Sequence, residues 1–199
     1  SISRIKNLKE EKTSNDSLTV LQVMLSYKDE KRAINLLNNF YQEDKNLSQV
    51  FSNYVSNEKG NAFDYAVRHD CYNVIKWFID NHISIERSVF TIIDKLLDSN
   101  NENYLGILES FLRIVEDKNR LVKRFEYTNK EIVEASFIPY TVMMGQNSSQ
   151  TSIQEKIIEK LIENNVDINS CTKLSTENGN SALIYAIKNK NEEVAMFLI

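Results

Sequence analysis

Two stretches of this chain share one hydrophobic pattern, and this repetition limits the folds that the chain can adopt. Residues 60–79 read GNAFDYAVRHDCYNVIKWFI, and residues 179–199 read GNSALIYAIKNKNEEVAMFLI. When Ala66 is placed over Ala186, the stretches align without a gap and their large apolar residues coincide. Each copy holds an apolar segment, a polar turn and a second amphipathic segment. The pattern predicts a repeated unit of two helices joined by a turn.

The second segment of the later copy has the features of a helix with one buried face. Val194, Phe197 and Leu198 follow the i, i+3, i+4 spacing of such a face. Asn191 is a favourable N-cap, and the acidic Glu192 suits the positive end of the helix dipole. The whole chain has four glycines and one proline, which are few for a fold rich in tight turns. We therefore predict a mostly helical protein.

The two stretches resemble the ankyrin repeat, whose first helix opens with T-P-L-H-x-A. Here that opening reads SALIYA, residues 181–186. Residues 160–169, KLIENNVDIN, are similar to the end of the family's second helix and its exit. Asn165 stands in a glycine position of the family, and asparagine also accepts the left-handed conformation of a helix C-cap. The resemblance implies an all-α, ankyrin-type helical solenoid.

The resemblance extends to one domain of about five degenerate repeats over residues 1–199. The repeats are expected at 17–45, 58–85, 86–115, 136–170 and 177–199, with an inserted segment at 116–135. Capping-box sequences, TNKE at 128–131 and SIQE at 152–155, predict an extra short helix near the insertion. The other glycine positions of the family hold Asp70, His82 and Lys190. The missing initial Met and the apolar ending suggest a piece of a longer protein.

Such a stack implies recognition of another protein rather than chemistry. An array of helix pairs offers an extended concave surface on which a few residues can anchor a partner. The family's layout places contacts before and at the exposed ends of the first helices, and insertions often join the binding face. The residues expected to contact a partner are Lys59, Arg68, His69, Glu177, Asn178, Lys188 and Asn189, with Arg120, Lys123 and Arg124 of the insertion.

Two further interpretations concern the rest of the protein and the insertion. The chain could be the substrate-targeting or regulatory arm of a multidomain enzyme whose catalytic residues lie elsewhere. The sequence EDKNRLVKRFEY, residues 116–127, mixes basic and aromatic residues and could bind RNA, acidic peptides or anionic lipids. Its bracketing acidic residues also fit a solvated charged segment.

Cysteine and histidine give a weak chemical signal. His69 near Cys71 invites a thiolate nucleophile, but a two-residue spacing does not place both on one helical face. A metal site would need His69, Cys71, His82 and Cys171 to converge, and their spacing matches no zinc motif. Trp77 occupies a core position of a second helix. We expect no catalytic residue, no metal and no cofactor in this chain.

Charge and hydropathy limit the partners and the location. The formal charge of −4 gives no field that favours nucleic acid. No apolar stretch is long enough to span a bilayer, and two cysteines without a disulfide framework fit a reducing, cytoplasmic compartment. The glycine-poor style is similar to that of secreted effectors of intracellular bacteria and of poxvirus host-range proteins, which would act in a host cytosol. A monomer is expected.

Overall fold

A computed structural model describes residues 20–43, 61–83, 88–127, 131–145, 150–174 and 178–199. The helices in these ranges are α1 (Val20–Ser26), α2 (Glu30–Glu43), α3 (Ala62–Arg68), α4 (Tyr72–Asp80), α5 (Ser88–Ser99), α6 (Asn103–Ile114), α7 (Phe137–Met144), α8 (Thr151–Glu163), α9 (Ala182–Lys188) and α10 (Glu192–Phe197). The strands are β1 (Lys123–Glu126), β2 (Ile132–Ala135), β3 (Cys171–Leu174) and β4 (Asn178–Ser181). No helix within the described ranges is both long and apolar enough to cross a membrane.

The fold is α+β, so the prediction of an all-α solenoid is wrong. The four strands form one antiparallel sheet in the order β1-β2-β3-β4. Phe125 lies opposite Val133, which in turn lies opposite Leu174, so one face of the sheet carries apolar side chains. This face can be buried only when strands that are far apart in the chain pair with their alternate residues on the same side. This long-range pairing outweighs the local preference for helix that the sequence pattern predicted.

The segment 116–135, predicted to hold an inserted helix, forms a short 3₁₀ turn at Lys118–Arg120 and then the β1–β2 hairpin. Most of TNKE lies outside the described residues. The SIQE capping box is also wrong, because α8 already begins at Thr151 and Ser152 is its second residue.

The chain divides into two compact units, Ser1–Ser88 and Val89–Ile199. In the first unit α1 packs on α3 and α2 packs on α4. In the second unit α7 packs on α9 and α8 packs on α10. In each unit, the earlier two consecutive helices therefore pack on the later two: α1 and α2 on α3 and α4, and α7 and α8 on α9 and α10.

Of the helices in the described ranges, five end in the same left-handed turn. The residues with positive φ in these turns are Lys28, Asp70, His82, Asn165 and Lys190. In each turn the following N–H donates to the carbonyl five residues earlier, as Cys71 does to Ala66 at 2.8 Å. This is the Schellman arrangement, which normally uses glycine. Except for Lys28, these are the residues that the ankyrin resemblance placed in glycine positions.

In the first unit, side chains of α2 form hydrogen bonds with groups of α4. The Glu30 carboxylate accepts hydrogen bonds from the N–H groups of Asn73 (2.7 Å) and Val74 (3.1 Å), at the start of α4. The N-cap residue of α4 makes no side-chain cap of its own. Trp77 is buried, as predicted, and its indole N–H donates to Asn38 Oδ1 at 2.7 Å. A charge-assisted cap and a buried indole thus hold α4 on α2.

The second unit has an equivalent polar joint around Gln154 of α8. Gln154 is fully buried; its Nε2 donates to the Thr141 carbonyl and its Oε1 accepts from Asn191 Nδ2, both at 3.1 Å. Asn191 in turn caps α10 by accepting from the Val194 N–H at 3.2 Å, as its sequence context predicted. One side chain of α8 therefore fixes both the end of α7 and the start of α10.

Candidate interaction surface

The β1–β2 hairpin is anchored by a row of aromatic rings. Phe125 of β1 meets Tyr140 of α7 edge to face at 5.2 Å, and Tyr140 meets Phe90 of α5 at 5.1 Å. On the other side Phe125 leads to Tyr127 (6.3 Å), which meets Tyr185 of α9 (6.1 Å). These separations are those of favourable aromatic pairs. The sheet is thereby fixed to the first helices of two successive pairs.

Lys123, expected to contact a partner, is instead bound within the protein. Its Nζ lies 2.9 Å from Asp94 Oδ2 and 2.6 Å from Tyr140 Oη, and 4.5 Å from the Tyr140 ring centroid. The Tyr140 hydroxyl donates to Asp94 Oδ1 at 2.5 Å. Each polar group of this triad is satisfied by the other two, so the triad supports the hairpin.

Within this triad, Tyr140 is unsuited to act as a general base. Burial raises the pKa of Tyr140 far above its usual value, and the neighbouring Asp94 carboxylate raises it further. The phenol therefore keeps its proton, which it donates to Asp94, and cannot serve as a phenolate base.

The proposed Cys71 nucleophile is not assembled. Cys71 is fully buried, and its thiol contacts the backbone carbonyls of Leu25 (3.5 Å) and His69 (3.9 Å). His69 thus contributes its carbonyl, while its imidazole ring lies 5.8 Å from the ring of Tyr65. Burial, with a smaller effect of Glu30, raises the pKa of the Cys71 thiol to about 11. Within the described ranges, no three side chains of the types that ligate metals form a cluster that could hold an ion.

Thiol labelling tests this environment directly. In the folded protein we expect iodoacetamide to modify the exposed Cys171 and to leave Cys71 unmodified, because only an accessible thiolate reacts. In denaturant both cysteines should react. Peptide mass spectrometry after a timed reaction gives the two rates, and Cys71→Ser confirms the assignment. Faster labelling of Cys71 than of Cys171 in the folded state would contradict the buried geometry.

The remaining predicted contact residues lie in both units. In the first unit Arg68 is exposed at the end of α3, with its guanidinium 5.8 Å from the Tyr65 ring centroid, and His69 follows it. In the second unit Lys188 is exposed at the end of α9, and its Nζ lies 5.9 Å from the Tyr185 ring centroid. The two helix pairs thus repeat a basic residue beside a tyrosine.

The structure describes four further predicted residues, all of them in the second unit. Asn189 is half-buried in the turn after α9; its Nδ2 atom is buried and lacks a hydrogen-bond partner. Arg120 is exposed and pairs with Asp117 at 3.0 Å, and Arg124 is exposed on β1. The structure describes the backbone of Asn178, in β4, but not its side chain. Lys59 and Glu177 lie outside the described residues.

One apolar surface was missed by sequence reasoning: the exposed side of α9. The sixth residue of a first helix is Leu25 in α1, Val67 in α3, Val142 in α7 and Ile187 in α9. The first three are at most 2% exposed, whereas Ile187 is 62% exposed. Ile184, one turn earlier, is 42% exposed. We call Ile184, Ile187 and the adjacent Lys188 the α9 patch.

The sequence held a partial signal for this surface. Ile184 aligns with Asp64 in the earlier copy, so an isoleucine occupies a position that a charged residue also occupies. A position that tolerates both is not a fixed core position, and an apolar residue there can mark a contact surface. Ile187 gave no such signal, because it aligns with the apolar Val67.

No protein-family model, curated protein or solved structure matches this chain.

Proposed function

We propose that this chain is a protein-binding module that engages a partner through the α9 patch. The observation that carries the proposal is the exposure of Ile187 at a helix position that is buried in α1, α3 and α7. Branched apolar side chains exposed together on one helix face are typical of contact surfaces. Removing them from water on binding is favourable, and their helix is already ordered, which limits the entropic cost.

The packing within the chain indicates what the partner presents. The helices that carry Leu25 and Val142, α1 and α7, are packed against other helices, α3 and α9. A helix with an apolar face is therefore the surface that fits the α9 patch. Lys188, held beside Tyr185, favours an acidic residue flanking that helix. The ammonium would steer the approach, and the isoleucines would supply most of the affinity.

The ankyrin resemblance is retained as a proposal for the part of the chain that carries hairpins. Residues 123–163 and 171–197 each contain a β-hairpin followed by two helices. A turn followed by two helices is also the unit of the ankyrin repeat. This recurrence supports a recognition role, because such units supply preorganised surface and no catalytic group.

The α9 patch is tested by paired isoleucine substitutions. Ile187→Glu places a carboxylate in the proposed contact, whereas Ile162→Glu changes an isoleucine of α8 that is 38% exposed. We expect Ile187→Glu to weaken partner binding by about tenfold or more, and Ile162→Glu to leave it within about twofold. Lys188→Glu should mainly slow association and reduce its salt dependence.

The measurement has two stages. Proteins captured by the immobilised wild-type chain and both variants are first quantified by mass spectrometry. A protein that is lost only with Ile187→Glu is then purified, and its dissociation constant is measured by calorimetry. A photoreactive amino acid at 187 should crosslink to that protein, and the same group at 162 should not. Equal capture by the wild type and by Ile187→Glu would contradict the proposal. Capture by the wild type that does not exceed background would contradict it as well.

A further inference from the structure

The outer edge of β1 is open for pairing. The sheet order places β2 on one side of β1, and within the described ranges no strand lies on the other side. An unpaired strand edge presents backbone N–H and C=O groups to any chain that approaches in extended form. The side chains of β1 then decide which chain fits.

The hydrogen-bond phase of the hairpin identifies the outward groups. The Tyr127 N–H donates to the Glu131 carbonyl at 2.8 Å, so these two residues form a hydrogen-bonded pair. Such pairs alternate along an antiparallel ladder. Phe125 therefore directs its N–H and C=O toward β2, whereas Arg124 and Glu126 direct theirs toward the open edge.

The side chains at these two positions have opposite charges. Arg124 and Glu126 are both exposed, and their spacing places them on the same face of the strand. On that face the cross-strand neighbours alternate in sign, from Arg124 to Glu134 and from Glu134 to Lys173. Opposite charges directly across a ladder are favourable and like charges are not.

We propose that the open edge of β1 pairs with β1 of a second copy of this chain. The pairing is antiparallel, with a two-fold axis at Phe125. In this register Arg124 of each copy lies opposite Glu126 of the other. The outward N–H and C=O groups of each such pair face one another, which forms four backbone hydrogen bonds and two ion pairs. The two sheets become one continuous sheet.

Charge and hydrogen-bond phase together select this register. Sliding the copies by one pairing step places Arg124 opposite Arg124 or Glu126 opposite Glu126, and both arrangements bring like charges together. A one-residue slip would set outward groups against inward ones and form no ladder. The self-complementary sequence Arg-Phe-Glu at an open edge thus specifies one partner, an identical strand. This surface is separate from the α9 patch, and the proposal replaces the monomer expected from the sequence.

The paired edge is short, so the dimer is weak and concentration-dependent. We expect sedimentation velocity to show reversible dimerisation of the full chain between roughly 10 μM and 1 mM, where small interfaces associate. In hydrogen exchange, the amides of Arg124 and Glu126 should become protected as concentration rises, while the rest of the sheet should not change. This readout needs no variant.

Charge reversal provides the decisive test. Arg124→Glu and Glu126→Arg each place like charges across the two-fold axis, and each should weaken self-association by about tenfold or more. An equimolar mixture of the two variants should associate, because the acids of one face the bases of the other. The double variant Arg124→Glu/Glu126→Arg restores opposite charges across the two-fold axis and should associate more tightly than either single variant.

Three results would overturn the proposal. The first is a wild-type chain that stays monomeric over the whole range, which would mean that the charges keep the short edge unpaired, as charged edge strands often do. The second is self-association that the single reversals do not change. The third is failure of the mixture to associate while circular dichroism shows both variants folded.

Discussion

Replacing Tyr140 with phenylalanine should lower the free energy of unfolding near neutral pH and should also flatten its decline in alkali. The hydroxyl of Tyr140 is buried, donates to Asp94 and accepts from Lys123. Its removal leaves the partly buried ion pair of Lys123 and Asp94 without one hydrogen-bonding partner. A loss of about 1.5–3 kcal/mol is expected for a hydrogen bond to a charged group.

The alkaline effect follows from proton linkage. Burial and Asp94 raise the pKa of Tyr140 in the folded protein above its unfolded value of 10.0. Below that value the phenol is protonated in both states, and its contribution to stability is complete. Above it the unfolded chain loses the proton and the folded chain keeps it, so the unfolded state binds fewer protons and stability falls. The slope from this group is about 1.4 kcal/mol per pH unit.

Denaturant unfolding measured at several pH values gives both effects. The wild type should be more stable than Tyr140→Phe up to about the unfolded tyrosine pKa, and the difference should shrink as pH rises further. Tyr27→Phe, which removes a hydroxyl from a side chain that is 83% exposed, is the control and should change stability little near neutral pH. A difference between wild type and Tyr140→Phe that stays constant through the alkaline range would show that Tyr140 ionises equally in both states.

The helix pairs could be predicted from the sequence because their determinants are local. Apolar spacing, the cap at Asn191 and the exit at Asn165 all act within one or two turns of helix. Asp70, His82 and Lys190 were marked only by the ankyrin resemblance, which places them in glycine positions, and lysine has no special preference for the left-handed conformation. The surrounding Schellman hydrogen bonds impose it.

The sheet could not be predicted because its determinants are distant. β1 pairs with β2, the next strand along the chain, but β2 gains its second neighbour, β3, only after two helices. The sequence KRFE of β1 alternates in burial, yet four residues are too few to separate this pattern from a charged helix. The role of Lys123 was lost for the same reason, since its anion, Asp94, lies on α5.

The candidate site shows a related limit. Exposure was predicted correctly for polar residues at helix ends, such as Arg68 and Lys188, because polar residues are mostly exposed in any fold. It was missed for Ile187, because an apolar residue at a core position of the repeat is predicted to be buried. Burial depends on what covers the helix, and the helix's own sequence does not contain that information.

Replacing Gly145 with alanine should destabilise the second unit by about 2–4 kcal/mol, although alanine is the smallest possible addition. Gly145 follows α7 and is packed against the buried side chain of Gln154. An added β-carbon would overlap the Gln154 amide and lie 2.6 Å from its Cγ. Because Gln154 has no solvent to move into, it must give up its bonds to the Thr141 carbonyl and Asn191. Buried polar groups left without partners account for most of the expected cost.

The matched substitution Gly106→Ala should have the opposite sign. Gly106 lies inside α6, where an added β-carbon meets no atom within 4 Å, so alanine should stabilise the helix by about 0.5–1 kcal/mol. Gln154→Ala provides a second test, since it removes the side chain that Gly145→Ala displaces. In denaturant unfolding the double variant Gly145→Ala/Gln154→Ala should be no less stable than Gln154→Ala alone. Additive losses in the double variant would mean that Gly145 is required by something other than its contact with Gln154. A non-additive result would instead locate the cost in the joint between α7, α8 and α10, which holds the helix pair that carries Ile187.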